Sequence, residues 1–329
     1  MESMGWVSDM LHEYILKRYN EIIDSGKDDE IIKREIEKLN EKISEDNFIS
    51  VYKEMLDKIS DDTFEFFKTT MFQKIYETQA EVNEFLARMQ QLWGKALVSF
   101  KSLYIICLEA AERYGEYLEK TNREDKETNK FLYYVLRALH GRACQQFLEI
   151  YCLISNGFAD GAYARWRSLY ELVVIATFIS ENGEDVAIAY MNSYGKDDRK
   201  NSWAKSAQCF SNLPKKAAVT FEMIKNNISM KNELWRKHYS LSNKIVHSSA
   251  DGTFGRLSSL DMNVIPAGRS NYGIEVPAEH AAIMLAIITT EFLNIIPNDD
   301  SIIQTKIINK WLDVIREEFF SVADGFIEK

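Results

Sequence analysis

Proline is scarce in this 329-residue chain: there are four, Pro214, Pro266, Pro277 and Pro297, and none precedes residue 214. Nothing in the first 213 residues therefore forbids long helices through a fixed φ or a missing amide. Cysteine is equally sparse. Cys107, Cys144, Cys152 and Cys209 form no CxxC pair and have no histidine at metal-ligand spacing, so they are expected to be reduced core thiols, with no metal and no cofactor. Apolar runs such as that near Leu172 to Ile179 are far short of the roughly 20 residues of a membrane span. The stretch Met1 to Met10 shows no basic region followed by an apolar one. A soluble cytoplasmic protein with no membrane partner is the expectation. GxSxG, GxxxxGK[ST], GxGxxG, HExxH and the zinc-deaminase spacing are all missing, which disfavours hydrolases, NTPases, dinucleotide enzymes and zincins.

What is present is helical periodicity. With 46% apolar residues the chain can bury a sizeable core, and its length suggests roughly two domains. From Val7 to Ile59, isoleucines and leucines recur at helical spacing, with breaks near Ser25-Gly26 and Ser44 to Asn47, predicting three amphipathic helices. Asp61 to Tyr76 is strongly aromatic (Phe64, Phe66, Phe67, Phe72, Tyr76) and is expected to be core. Gln79 to Lys120 follows as one long helix or a helical pair. Thr121 to Asn129, wholly polar or charged, is the best linker and sets the expected boundary between an N-terminal helical region, 1–120, and a C-terminal bundle, 130–329.

The second part is more regular. Lys130 to Ser155 places Leu132, Leu136, Leu139, Ala143, Phe147, Ile150 and Ile154 on one face, and Asn156-Gly157 turns it into a second helix at Asp160 to Ser180, a helical hairpin. Beyond it lie a short helix at Glu184 to Tyr194, a segment Phe221 to Met230 that leads up to the helix beginning near Trp235, a Gly-rich loop from Asp251 to Pro277, and two closing helices, Ala278 to Ile296 and Ser301 to Val322. The fold class is all-α: a helical bundle with a helical N-terminal extension and one long Gly-rich loop.

Charge is uneven. Against a net −10, Lys196 to Arg256 carries twelve bases and five acids, a local +7 that leaves −17 elsewhere. Such a stretch is consistent with binding a polyanion. Within it, Trp235 to Ser249 reads as one helix on which Arg236, Asn243 and His247 fall within about 40° of one another, with Leu234, Leu241 and Ile245 on the side expected to be buried. An imidazole titrating near neutrality, a cation and an amide are what phosphodiester chemistry wants. His238 and His140 read as hydrogen-bonded core histidines. A second polar set, Arg142, Glu149, Arg165, Arg167 and Glu171, lies on the hairpin, where charges entering an apolar helix must be paired.

The blocks Gly157-Phe158-Ala159-Asp160-Gly161-Ala162, Arg165-Trp166-Arg167-Ser168-Leu169-Tyr170-Glu171, and His238-Tyr239 followed by Leu241-Ser242 and Val246-His247 give the stretch Arg137 to Pro297 a resemblance to an uncharacterised family of bacterial all-helical proteins. Asn243 and His247 also look like part of the Arg-Asn-x-x-x-His signature of HEPN-type ribonucleases, with Ser242 where the arginine belongs. That likeness implies a dimeric, metal-independent ribonuclease in which His247 helps deprotonate the RNA 2′-hydroxyl and a cation, here Arg236, holds the phosphate.

Three readings result. The first is a component of a bacterial stress or phage-defence system, its polar cluster binding an RNA, a nucleotide or another anionic ligand. The second is the HEPN-like ribonuclease. The third is a non-catalytic homo-oligomeric scaffold in which the cluster is structural.

Overall fold

The computed structural model describes residues 2–43, 48–120, 127–196, 200–214, 216–230, 233–246, 249–255, 257 and 268–327. Among them are eleven α-helices, two short 3₁₀ turns and no strand: α1 (Glu2–Ile23), α2 (Asp29–Ile43), α3 (Phe48–Lys120), α4 (Lys130–Ser155), α5 (Ala159–Asn182), α6 (Glu184–Asn192), α7 (Phe221–Asn226), α8 (Glu233–Val246), α9 (Ala250–Phe254), α10 (Glu275–Leu293) and α11 (Asp299–Ile327). The all-α expectation holds. The third expected N-terminal helix and the expected Gln79 to Lys120 element are one continuous helix of 73 residues, because no proline or loop sequence interrupts them.

The contacts of the chain divide it into two units, Met1–Val82 and Asn83–Lys329. The boundary therefore falls inside α3 and not at the expected linker, whose residues 121–126 lie outside the described set. In the first unit α1 and α2 form a hairpin. Gly26, at φ 66°, supplies the left-handed turn, and Lys27 pairs with Glu35 at 2.7 Å. α1 runs antiparallel to α3, with Arg18 on Glu54 (3.5 Å) and Lys58 over the Tyr14 ring (5.8 Å). Phe64, Phe66, Phe67, Phe72 and Tyr76 are exposed, which corrects the core assignment: nothing among the described residues covers them.

The second unit is a bundle around one core. The predicted face of α4 is buried at all seven positions, and α5 from Leu172 to Ile179 is buried on nearly every side. α10 packs against α4, α5 and α11. The second half of α3 belongs here: Phe100 stacks on Phe147 of α4 (4.0 Å), Tyr114 meets Phe292 of α10 edge-on (5.3 Å), and Trp93 meets Phe319 of α11 (5.7 Å). The Trp311 indole donates to the Ser99 carbonyl at 2.8 Å. The first amides of α4 are capped from α6, where the Glu184 carboxylate accepts from Phe131 and Leu132, both at 2.8 Å. α10 is long and apolar enough to cross a membrane by length and composition, and 67% of that window is buried inside the bundle.

Two expectations about local structure change. The Gly-rich segment is not wholly loop: Ala250–Phe254 is helical, with Ser249 capping it through the Gly252 amide at 3.1 Å. α10 begins at Glu275, three residues earlier than expected, because Pro277 sits in its first turn, where a missing N–H costs nothing. Residues 258–267 of the Gly-rich segment lie outside the described residues. The cysteines also divide. Cys107 and Cys144 are buried, and burial pushes both thiols up to about 12, whereas Cys152 and Cys209 are exposed rather than core.

Candidate polar site on the helical hairpin

Most of the charged residues singled out on the hairpin are paired with one another. Arg165 of α5 forms an ion pair with Glu149 of α4, across the hairpin. Arg167 donates its Nε–H to Glu171 one turn later at 3.1 Å. Glu171 is then reached from α8: the Tyr239 hydroxyl donates to the same oxygen at 2.7 Å. The guanidinium of Arg167 and the ammonium of Lys225 each lie 5.3 Å from the Tyr239 ring, and Lys225 is itself paired with Glu222. Burial is the larger influence on Arg167 and acts against its charge. The hydrogen bonds and charges of Tyr239 and Glu171 outweigh it and raise the pKa further. Burial and the bond to Glu171 push the Tyr239 phenol up to about 12, so near neutrality it holds its proton and donates.

Three cations thus meet three carboxylates. A phosphate entering this cluster would have to break pairs already formed. The residue that ties α8 to this cluster is Tyr239, which sequence reasoning missed: its bond spans 68 residues, and no local pattern marks it.

The rotation of α8 also differs from expectation. Trp235 and Ser242 are buried and His238, Tyr239 and Ile245 half-buried, so the packed face lies between the two stripes read from sequence; Leu241 is 38% exposed. Asn243 stands at the edge of this face with its Oδ1 buried and without a hydrogen-bond partner, so it does not join the Arg/Glu cluster. The side chain of Arg236 and all of His247 lie outside the described residues, as does Arg256. Ser242, where a HEPN motif has arginine, is 0% exposed and donates its hydroxyl to the Tyr239 carbonyl at 2.8 Å. That position faces the core rather than a solvent groove.

A second constellation binds α5, α8 and α10 together. The His238 and His280 rings meet with centres 4.0 Å apart, tilted at 57° to each other, among Tyr163, Trp166 and Trp235. The Tyr163 hydroxyl donates to the His238 carbonyl (3.1 Å) and lies 2.9 Å from His238 Nδ1, which assigns the Nδ1–H tautomer to that ring. Burial, reinforced by the neighbouring His238, lowers His280 to about 3; burial also lowers His238, partly opposed by Glu279. His140 is buried against Thr289 (3.0 Å) and lowered to about 4. His140 is a hydrogen-bonded core histidine, as expected, whereas His238 is hydrogen-bonded but only half-buried. Among the described residues no group of three or more His, Cys, Asp or Glu could hold a metal ion.

Arg142 stands apart from its expected partners. It lies on the α4 surface that faces α6, lining a groove of about 450 Å³ with Tyr134, Leu139, Tyr190, Met191 and Tyr194. Burial raises the Tyr190 phenol and the nearby Arg142 charge opposes that rise, which places guanidinium and phenol together. Among the described residues no carboxylate pairs with Arg142. Five residues earlier, about 140° round the helix, Arg137 covers the rings of Tyr133 (5.6 Å) and Tyr134 (5.5 Å).

Comparison with known proteins places part of this region in context. Residues 133–251, which include the hairpin, the groove and α8, match a family of unknown function (DUF5677). No curated protein and no solved structure matches the chain.

Proposed function

We propose that the protein is a non-catalytic helical binding module whose Arg/Glu/Tyr cluster is structural and whose ligand is a small anion bearing a planar ring, held in the groove between α4 and α6. One observation carries this reading: of the five charged residues expected to form a polar site, four are neutralised by one another, and Arg142 alone faces a groove with no counter-ion among the described residues. An unpaired guanidinium offers a fork of donors to a phosphate or carboxylate. Tyrosine faces beside it offer stacking for a ring. A volume of about 450 Å³ lies in the range of small-molecule sites, roughly 300–1,000 Å³. The paired cluster supports the other half of the proposal, since a phosphate there would have to displace Glu171 from both Arg167 and Tyr239.

The test is titration of the purified chain with adenosine monophosphate, adenosine and inorganic phosphate, read by calorimetry and thermal shift. The nucleotide is expected to bind more tightly than either part, and Arg142→Gln to weaken it about tenfold or more while leaving the melting temperature of the free protein unchanged. Equal affinity in Arg142→Gln and wild type would overturn the assignment of the groove. Incubation with RNA separates this reading from the ribonuclease: the wild type is expected to leave RNA intact. Cleavage lost in His247→Ala would displace the non-catalytic reading.

A further inference from the structure

We infer that the exposed aromatic face of α3 between Phe64 and Tyr76 is a self-association surface, covered in solution by the same segment of a second copy of this chain. The spacing of apolar residues along α3 is the starting point. Phe64, Phe67, Met71 and Ile75 fall at steps of three and four, and in the sequence the rhythm runs on through Thr78, Val82, Phe85, Met89, Trp93, Ala96 and Phe100 to Leu118. This is the spacing by which a helix meets other helices. From Met89 to Leu118 every position in that series is buried by the bundle, at 5% exposure or less. At its beginning the same rhythm has no cover: Phe64 is 60% exposed, Phe67 46%, Met71 40% and Ile75 65%.

Phe72 (86%) and Tyr76 (79%) widen the uncovered strip to about half of the helix circumference. Taking roughly 200 Å² for each of these large side chains, the six leave on the order of 700 Å² accessible. That is close to the roughly 800 Å² per partner of a standard stable interface. It also exceeds what isolated surface residues need explaining by, since patches of this size mark interaction sites.

Charge selects the occupant. Asp61 to Val82 carries five acids and two lysines. Both lysines are held on the helix itself, Lys68 by Glu65 at 2.9 Å and Lys74 by Glu77 at 3.9 Å. An acidic segment without free cations repels nucleic acid and the anionic face of a membrane, whose amphipathic partners are rich in lysine and arginine. An aromatic, nearly neutral strip is instead complementary to another like itself, and a twofold axis lets each copy cover the other with the same residues. Apolar, aromatic-rich contact is also the composition of homodimer interfaces. This inference is independent of the groove at Arg142.

Sedimentation velocity of the full chain across a hundredfold concentration range tests it, together with Met71→Glu/Ile75→Glu. Both substituted residues are exposed, so helix content and melting onset in dilute solution are expected to stay as in wild type, and circular dichroism checks that they do. The expected result is a discrete wild-type dimer and at least a tenfold weaker association in the variant. A wild type that remains monomeric at 50 µM, a dimer indifferent to the substitutions, an open series of aggregates, or a monomer that partitions onto neutral lipid vesicles would each overturn it.

Discussion

Tyr239 helps to dock α8, because its hydroxyl donates from that helix to the Glu171 carboxylate of the Arg167–Glu171 pair. Tyr239→Phe removes it while leaving Glu171 its bond to Arg167, so chemical denaturation is expected to report a loss of about 1 kcal/mol. No comparable loss is expected from Leu241→Ala, whose side chain is half in solvent. The buried histidines set the response to acid. His140 is held near 4 and His280 near 3, against 6.5 for the unconstrained ring. The folded chain thus refuses protons that the unfolded chain accepts. Stability is complete above pH 6.5 and falls as the pH drops toward 4, and at pH 5 each ring accounts for about 2 kcal/mol. Melting temperatures from pH 7.5 to pH 5 measure the slope, and His280→Phe, which keeps a ring at that place, is expected to flatten it. At this scale the sequence was informative where burial follows a period: all seven apolar positions predicted on α4 are buried. It was silent where a contact is tertiary. Nothing local announces that Tyr239 meets Glu171 or that the His238 and His280 rings touch.

At the scale of the element, the α4–α5 turn is set by close approach. Gly157 has φ +77°, and a Cβ there would lie 2.6 Å from both the Phe85 ring and the Ser270 carbonyl oxygen. Gly157→Ala is therefore expected to cost on the order of 2–3 kcal/mol, from strain and displaced packing together. Gly183→Ala, at φ 76° and ψ −158° with open space around it, is expected to cost on the order of 1–3 kcal/mol from backbone strain without displaced packing. α8 shows why element identity is easier to read than element rotation. Ser242 looks like a surface residue in sequence, yet a hydroxyl that donates to the carbonyl one turn back can be buried without an outside partner. Leu241, which periodicity assigned to the core, is left at the rim. The aromatic run of α3 misled for a related reason: spacing identifies a face that wants cover and does not say whether the same chain supplies it.

The whole molecule is two units joined within one helix, and they are unequal. The second unit holds nearly the whole described core, whereas in the first only Met55 is a buried apolar side chain among those described. Stability per residue is therefore lower in Met1–Val82, and melting is expected in two steps, with a minor loss of helix signal preceding the main transition. A single cooperative transition that stays single at low protein concentration would contradict this. The polar stretch Thr121 to Asn129 was a reasonable place to divide the chain by composition. The actual division has no compositional mark because a helix can pass from one set of neighbours to another without changing its own sequence character.

Leu257 and the residues from Arg269 to Gly273 are fastened to the hairpin independently. The Leu257 amide donates to Asp160 at 3.0 Å, Arg269 donates to the Asn156 carbonyl and side-chain oxygens at 2.9 Å, and the Ser270 amide donates to the Gly157 carbonyl at 2.9 Å. A Cβ at Gly273 would lie 2.4 Å from the Leu257 carbonyl oxygen, so the two ends of the intervening chain touch. These bonds to the hairpin join residues 97 and 113 positions apart, so the α4–α5 turn is completed only once chain from far downstream has arrived, which makes its final form a late step of folding.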